Sequence, residues 1–237
     1  MRSILRALLV SAFAISCLAQ DKPVPISEER HHHLVFENEY TRVFHVEVPP
    51  KQSTLVHQHD RDYVWVQIGS ADIRNARRGS PSSEVRLKNG EVRFVKGKFA
   101  HKVSNLRDLP FVNVTIEIKK PSTRAFYGAS WPGVTPKEPG AAGMSIATGF
   151  VEQTSNIATD AVEARTWRTV GSGVGVTPQD SDHPRLLIAL LPMKCRCGGA
   201  QPTLLQPGEV AWIHKGTLAE TSMLGSSGVM FVMVSFK

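Results

Sequence analysis

The residues of this chain best placed to do chemistry are His57 and His59, with Tyr63 four positions on and His101 beyond a turn that contains Gly97. On an extended strand successive side chains point to opposite faces, so His57 and His59 share one surface and Gln58 projects away. With the alternation continued, Tyr63, Trp65 and Gln67 fall on the histidine face, and Val64, Val66 and Ile68 fall opposite. By the same rule Asp60 and Asp62 point away from the site. Three imidazoles brought together from two strands make a mononuclear site for one divalent transition metal. Three histidine ligands leave coordination positions open to water or substrate. Iron(II) would use them for dioxygen and a chelating substrate, zinc or manganese to polarise a carbonyl or activate water. Histidine alone does not choose among Fe, Mn, Zn, Ni and Cu.

The chain has nine histidines, so an isolated His-x-His pair is weak evidence by itself. His31, His32 and His33 follow the charged run Ser27-Glu28-Glu29-Arg30 and are expected on an exposed lead-in segment, outside the site. His45 is expected to be an ordinary strand residue.

What raises His57 and His59 above that background is their setting, Lys51-Gln52-Ser53-Thr54-Leu55-Val56-His57-Gln58-His59-Asp60-Arg61-Asp62-Tyr63 and onward to Gly69. A second stretch runs Gly90-Glu91-Val92-Arg93-Phe94-Val95-Lys96-Gly97-Lys98-Phe99-Ala100-His101-Lys102-Val103-Ser104-Asn105. Over residues 36 to 119 the chain resembles the cupin family, whose two motifs have this spacing. The resemblance implies a small antiparallel jelly-roll barrel with a metal inside, held by His57, His59 and His101. Three departures stand out. Lys51 occupies the place of the first motif's leading glycine. Tyr63 stands where the family has a glutamate ligand. The proline of Pro-x-Gly is missing, and Gly97 comes one residue early. Several dioxygenase groups of this family hold their metal with three histidines and no glutamate. For Tyr63, a hydrogen bond to bound water is preferred over ligation as phenolate, because its ordinary pKa is near 10; simple packing is the remaining option. Tyr63 is also the one candidate catalytic side chain, with Gln67 and Arg61 as candidate helpers.

The elements that must position these residues repeat along the chain. Asn89-Gly90-Glu91-Val92-Arg93-Phe94-Val95 matches Pro207-Gly208-Glu209-Val210-Ala211-Trp212-Ile213, and Val112 to Lys119 matches Met230 to Lys237 at the same offset. Such fixed-period similarity marks duplicated units. We therefore expect an all-β protein of two tandem cupin-like antiparallel jelly-roll barrels, residues 28–120 and 161–237. Between them lies a Pro/Gly-rich connector, 121–160, on which Tyr127 and Trp131 could act as anchors. Thr41 to Val48, Val64 to Ile68 and Phe111 to Ile118 read as strands, and Glu163-Ala164-Arg165 as a short helix at most. In the second copy Thr177 and Gln179 align with the histidine pair, Glu220 with His101 and His183 with Tyr63. That copy is expected to hold no metal and to serve as structure.

The first nineteen residues differ in kind. Arg2 and Arg6 precede an apolar stretch from Ala7 to Leu18, followed by Ala19 and Gln20. This is the pattern of an export signal cut after Ala19, which places the mature protein in the periplasm or outside the cell. Lipid attachment at Cys17 is the alternative. Cys195 and Cys197 are read as small side chains near a turn, or as a redox pair, and not as a disulfide scaffold. The formal charge of +7 is scattered. The densest basic stretch, Arg74 to Arg78, is read as a solvated loop, with an anionic ligand as the minority reading. Nothing points to nucleic acid, and no internal apolar run is long enough to span a bilayer.

Two functions follow. One is an exported metal-dependent enzyme, a dioxygenase of a small organic molecule. The other is a protein that binds a metal or small ligand without turnover. The barrel hosts many activities and does not decide between them. A homodimer through edge strands is a further expectation, although an internal duplication can satisfy that need within one chain.

Overall fold

The computed structural model describes residues 22–120, 125–127, 150–169, 174–176, 182–198, 201–224 and 228–237. The expected export signal with Cys17, Trp131 in the connector, and Thr177 and Gln179 lie outside them. The first half supplies ten strands: β1 (Val24–Pro25), β2 (His32–Glu37), β3 (Thr41–Val48), β4 (His57–His59), β5 (Tyr63–Ile68), β6 (Ala71–Arg77), β7 (Ser83–Leu87), β8 (Val92–Val95), β9 (Phe99–Asn105) and β10 (Phe111–Ile118). The second half supplies β11 (Ala125–Tyr127), β12 (Phe150–Thr159), β13 (Val162–Thr169), β14 (Val174–Val176), β15 (Arg185–Ala189), β16 (Met193–Cys197), β17 (Thr203–Leu205), β18 (Val210–Ile213), β19 (Ala219–Met223) and β20 (Met230–Phe236). One turn of 3-10 helix, Ile26–Glu28, is the helical element among the described residues.

The strand order shows the duplication directly. In the first half one sheet runs β2-β3-β10-β5-β8 and the other β1-β4-β9-β6-β7. In the second half the orders are β11-β12-β13-β20-β15-β18 and β14-β19-β16-β17. Adding ten to each strand number maps one half on the other, apart from the extra edge strands β1 and β11. All these pairings are antiparallel except that of β1 with β4. Each half is a jelly-roll sandwich of two facing sheets, as the alternating apolar pattern and regular turns require.

The two barrels share a core. Val64, Val66, Val114 and Ile116 on the outer face of the first barrel pack against Ala164, Leu186, Val232 and Val234 of the second. An aromatic group extends this seam: Trp212 stacks on Phe36 and Tyr40 with ring centroids 5.4 and 5.8 Å apart. The turns at Gly90 and Gly208 reach across it in opposite directions. Gly90 has φ +75°, and a Cβ there would press on Leu190 and Met230. Gly208 has φ +89°, and a Cβ there would press on the His45 ring. Both turns therefore need glycine twice, for the backbone angle and for the close approach. His45 is the strand residue expected of it.

Inside, the barrels differ. The second is filled by Trp167, Leu187, Met193, Ile213 and Phe231, among others. The first carries a thinner apolar lining, including Phe44, Val46, Ile73, Leu87 and Phe111, beside buried histidines.

Several expectations are corrected. Phe150–Thr159, placed in the connector, is strand β12, because its residues complete the second barrel's sheet. The first barrel begins before residue 28, since Val24–Pro25 pairs with β4. Glu163-Ala164-Arg165 lies within strand β13, where pairing on both sides overrides its helical preference. The Arg74 to Arg78 stretch is mostly strand β6, paired with β7 and β9. Cys195 and Cys197 sit on one face of β16 and are joined as a disulfide, with Cα atoms 5.4 Å apart. The loop it closes is so short that the bridge constrains the unfolded chain little.

Ile116 is fully buried between the barrels. Ile116→Ala should cost about 2–5 kcal/mol, because the rigid sheets cannot collapse into the space. Urea unfolding should show the midpoint of both barrels falling together.

Candidate metal centre

Strand β4 is three residues long, and its alternation turns His57 and His59 into the first barrel while Gln58 faces outward. His57 stands opposite His101 on β9, and His59 opposite Phe99. The three histidines singled out by spacing thus meet in one place. Ring centroids are 4.5 Å apart for His57 and His101, and 5.0 Å for His59 and both of the others. All three are buried.

A fourth imidazole joins them. His32, expected on an exposed lead-in, is buried, and its ring lies 4.6 Å from that of His57. One ligand nitrogen from each of His32, His57 and His59 falls within a 4.8 Å group, and His101 adjoins it through its Nε2, 3.1 Å from His59 Nε2. His32 comes in because β2 pairs with β3 in the sheet that faces β4, which turns the first residue of β2 inward. The signal in the sequence was Glu29, three residues before His32. A histidine run preceded by an acid at that distance can be tied down, and a bare run cannot.

Three of the four rings are held from behind. His57 Nδ1–H donates to the Leu55 carbonyl at 3.0 Å. His101 Nδ1–H donates to Asn75 Oδ1 at 2.9 Å. His32 Nδ1–H donates to Glu29 Oε2 at 2.6 Å. All three partners are acceptors, so Nδ1 carries a proton and Nε2 is the atom left to face the other rings. This outer bonding fixes the tautomer a metal ligand needs. His59 Nε2 lies 3.1 Å from His101 Nε2, and His59 Nδ1 is buried without a hydrogen-bond partner. Two nitrogens at about 2.1 Å from a common ion and near a right angle are about 3 Å apart, so this pair fits a shared ion.

Electrostatics favour neutral rings. Burial pushes the His57 pKa down to about 4, with His32 adding to the effect. Burial also lowers His59 and holds His101 well below its usual value, and the neighbouring imidazoles deepen both shifts. Neutral imidazole is the form that binds a metal. Burial raises the Tyr63 pKa, with only partial relief from Arg77. In the metal-free site Tyr63 is therefore a neutral phenol, stacked on His59 with ring centroids 4.4 Å apart.

The histidines open into a cavity of about 170 Å³. Its walls are apolar at Trp65, Ile73, Leu87 and Phe111, and polar at Asn75, Asn113 and Thr115. Among the described residues no aspartate or glutamate lines it. Strand alternation on β6 sends Asn75 and Arg77 to the cavity, while Arg74 faces outward and pairs with Glu84. The Arg77 guanidinium lies 4.1 Å over the Phe99 ring. Two expected helpers are elsewhere. Gln67 is fully buried and donates to the Ile68 carbonyl, and Arg61 is exposed outside the cavity wall.

The turn before His101 keeps its shape without the expected residues. Lys98, three positions before His101, has φ +63°, and Lys51 has φ +59°. These are the two places where the resemblance calls for glycine, so lysine adopts the left-handed conformation there at some cost. Gly97 serves another purpose: a Cβ on it would collide with the Arg61 backbone. Asp62, pointing away from the histidines, accepts from the Gly97 N–H at 2.9 Å and pairs with Lys96 at 2.9 Å. It holds the turn and is no ligand.

In the second barrel Glu220 stands opposite Val176, so the place of His57 falls on Val176 and not on Thr177. Glu220 pairs with Arg196 at the surface. Among the described residues no metal-binding cluster occurs there.

No protein-family model matches the sequence, and no curated protein matches it. Solved structures do match the fold. AerE from Microcystis aeruginosa is 12% identical with a TM-score of 0.62, over 91% of this chain and 98% of that one. Salicylate 1,2-dioxygenase from Pseudoaminobacter salicylatoxidans, solved as adducts with gentisate, is 10% identical with a TM-score of 0.53, over 84% and 68%. Oxalate decarboxylase from Bacillus subtilis, a protein with Mn(II) centres, is 11% identical with a TM-score of 0.52, over 84% and 70%.

Gly97→Ala should destabilise the protein by about 1–3 kcal/mol, because backbone and not a flexible side chain must yield. Lys98→Gly should leave stability equal or raise it by up to about 1 kcal/mol, as relief of the left-handed angle competes with a freer unfolded chain. Thermal melts of the two variants check both signs.

Proposed function

We propose that this chain, whose two barrels have the cupin fold, is an exported protein that holds one divalent transition metal at His57, His59 and His101 and takes up a small organic anion beside it. The observation that carries this is the outward anchoring of the imidazoles, which leaves unprotonated Nε2 atoms facing one cavity. Bound there, a divalent ion supplies a Lewis acid and, in the case of iron, a centre for dioxygen chemistry. The residues fit Fe, Mn, Zn, Ni or Cu alike.

The cavity supports an anion for three reasons. A metal ion would add positive charge. Arg77, exposed at the mouth with its guanidinium over the Phe99 ring, offers a fork of donors suited to a planar acceptor such as a carboxylate. Among the described residues no carboxylate that would repel an anion lines the cavity. The volume suits a ligand of about one ring, since a cavity of about 150 Å³ accepts benzene. Its apolar wall would cover the body of such a ligand while Arg77 takes the charged end.

Turnover as a metal-dependent dioxygenase is the first reading. Tyr63 is the candidate hydroxyl, neutral and able to donate a proton or hydrogen bond. Binding without turnover is the second. It draws on the same lining, in which, among the described residues, proton transfer falls to Tyr63 and the histidines.

Export agrees with the N-terminal architecture. Strand β1 starts at Val24, so cutting after Ala19 would leave it whole. A homodimer would form on edge strand β2, where Leu34 and Val35 are each half exposed.

Elemental analysis of the mature chain, residues 20–237, should find about one metal per chain, lost in His57→Ala/His59→Ala. Absence of metal after reconstitution with all five ions would overturn the reading. With the metal in place, oxygen uptake across a panel of small carboxylates separates enzyme from binder. Arg77→Met should weaken carboxylate binding roughly tenfold or more, while an uncharged amide analogue changes little. Isothermal titration reads both.

A further inference from the structure

We propose that Glu29 and His32 form a fourth corner of the metal centre, with His32 as a ligand and Glu29 as its positioning residue. This rests on the reading of His57, His59 and His101 as ligands. It assigns the role of the missing glutamate to an imidazole that reaches the site from the start of the chain.

The N-terminal segment is built onto the site. Val24 pairs with His57 across β1 and β4, and its N–H donates to the Val56 carbonyl at 3.0 Å. The 3-10 turn follows and buries Ile26 in the barrel's apolar lining. Glu29 then enters with its side chain wholly removed from solvent. It accepts from His31 N at 3.0 Å, His31 Nδ1 at 3.0 Å, His32 Nδ1 at 2.6 Å and Leu55 N at 3.1 Å. A carboxylate so deep persists only because it is fully bonded. Burial alone would raise its pKa, but the bonds from His32, His31 and Leu55 bring it down to about 2.

The contacts link the ligands. Leu55 gives its N–H to Glu29 and its carbonyl to His57. The backbone of one residue, Leu55, therefore sets both Glu29 and His57. Glu29 in turn fixes the His32 ring, and an anionic partner raises the basicity of the far nitrogen. His31 touches the same carboxylate through its Nδ1, while the ring contacts with His57 and His59 are made by His32. The two neighbouring histidines thus separate structural support from ligation.

The test measures Zn(II) affinity by chelator competition and the visible spectrum of the Co(II)-loaded protein. The wild-type chain is compared with His32→Ala, Glu29→Gln, Glu29→Asp and His31→Ala. His32→Ala and Glu29→Gln should each weaken Zn(II) binding by about 10–100-fold, the range for loss of such partners. His32→Ala should also change the Co(II) bands, because one nitrogen leaves the ion. Glu29→Asp should recover part of the affinity, and His31→Ala should keep the wild-type spectrum. Thermal melts without metal show whether each variant is folded. If Glu29→Gln is not, His32→Ala decides. Wild-type affinity and spectrum in His32→Ala would overturn the inference and leave the three-histidine site standing. Equal losses and equal spectra in His31→Ala and His32→Ala would overturn it as well. Failure of the wild type to bind Zn(II) or Co(II) would remove both.

Discussion

The apolar contact between the two barrels is the constraint on which the rest depends. Strands β5 and β10 are buried on both faces, one inside their own barrel and one against the second half. The outer face, with Val64, Val66, Val114 and Ile116, supplies much of the hydrophobic stabilisation. The inner face of the first barrel is then released from that duty. It can carry imidazoles, amides and empty space without unfolding the domain. The second barrel makes the opposite choice and fills its interior with apolar side chains. One duplicated frame thus holds a packed half and a hollow half, and the packed half supports the hollow one.

Within the hollow half, polarity is managed by pairing groups from outside inward. Buried polar atoms are costly unless bonded. Asn75, Glu29 and the Leu55 carbonyl meet that cost for three rings and in doing so set the direction of each free lone pair. The residue left short is His59, whose Nδ1 has no partner while its Nε2 faces His101. Neutral rings crowded at this distance gain most from a cation between them. At the mouth the exposed Arg77 lies over an aromatic face, and among the described residues no acid lines the cavity with it.

Much of the frame was legible in the sequence. Period-two alternation gave the faces of β4 and β5, and the constant offset between Gly90 and Gly208 gave the duplication. The convergence of His57, His59 and His101 followed from motif spacing. The parts that escaped depend on long-range packing. His32 looked exposed because nothing local buries it; it turns inward through the pairing of β2 with β3. Arg77 was hidden in a basic cluster whose alternation becomes visible only once β6 is known to be a strand. Lys51 and Lys98 looked like losses of glycine, yet the backbone holds its left-handed angle at both positions. The β-pairing of Phe150–Thr159 and Glu163 to Arg165 likewise overrode local composition.

The separation of the four imidazoles along the chain has a consequence for assembly. His32 and His101 lie on strands β2 and β9, with most of the first barrel between them. No short fragment presents the full set, so the centre comes into being only as the barrel closes. Closing this long-range topology is slow compared with local helix formation, so the chain exposes single imidazoles before it presents the set. Were an ion first met at closure, the place of folding would act as a determinant of metal identity that the ligands themselves do not encode.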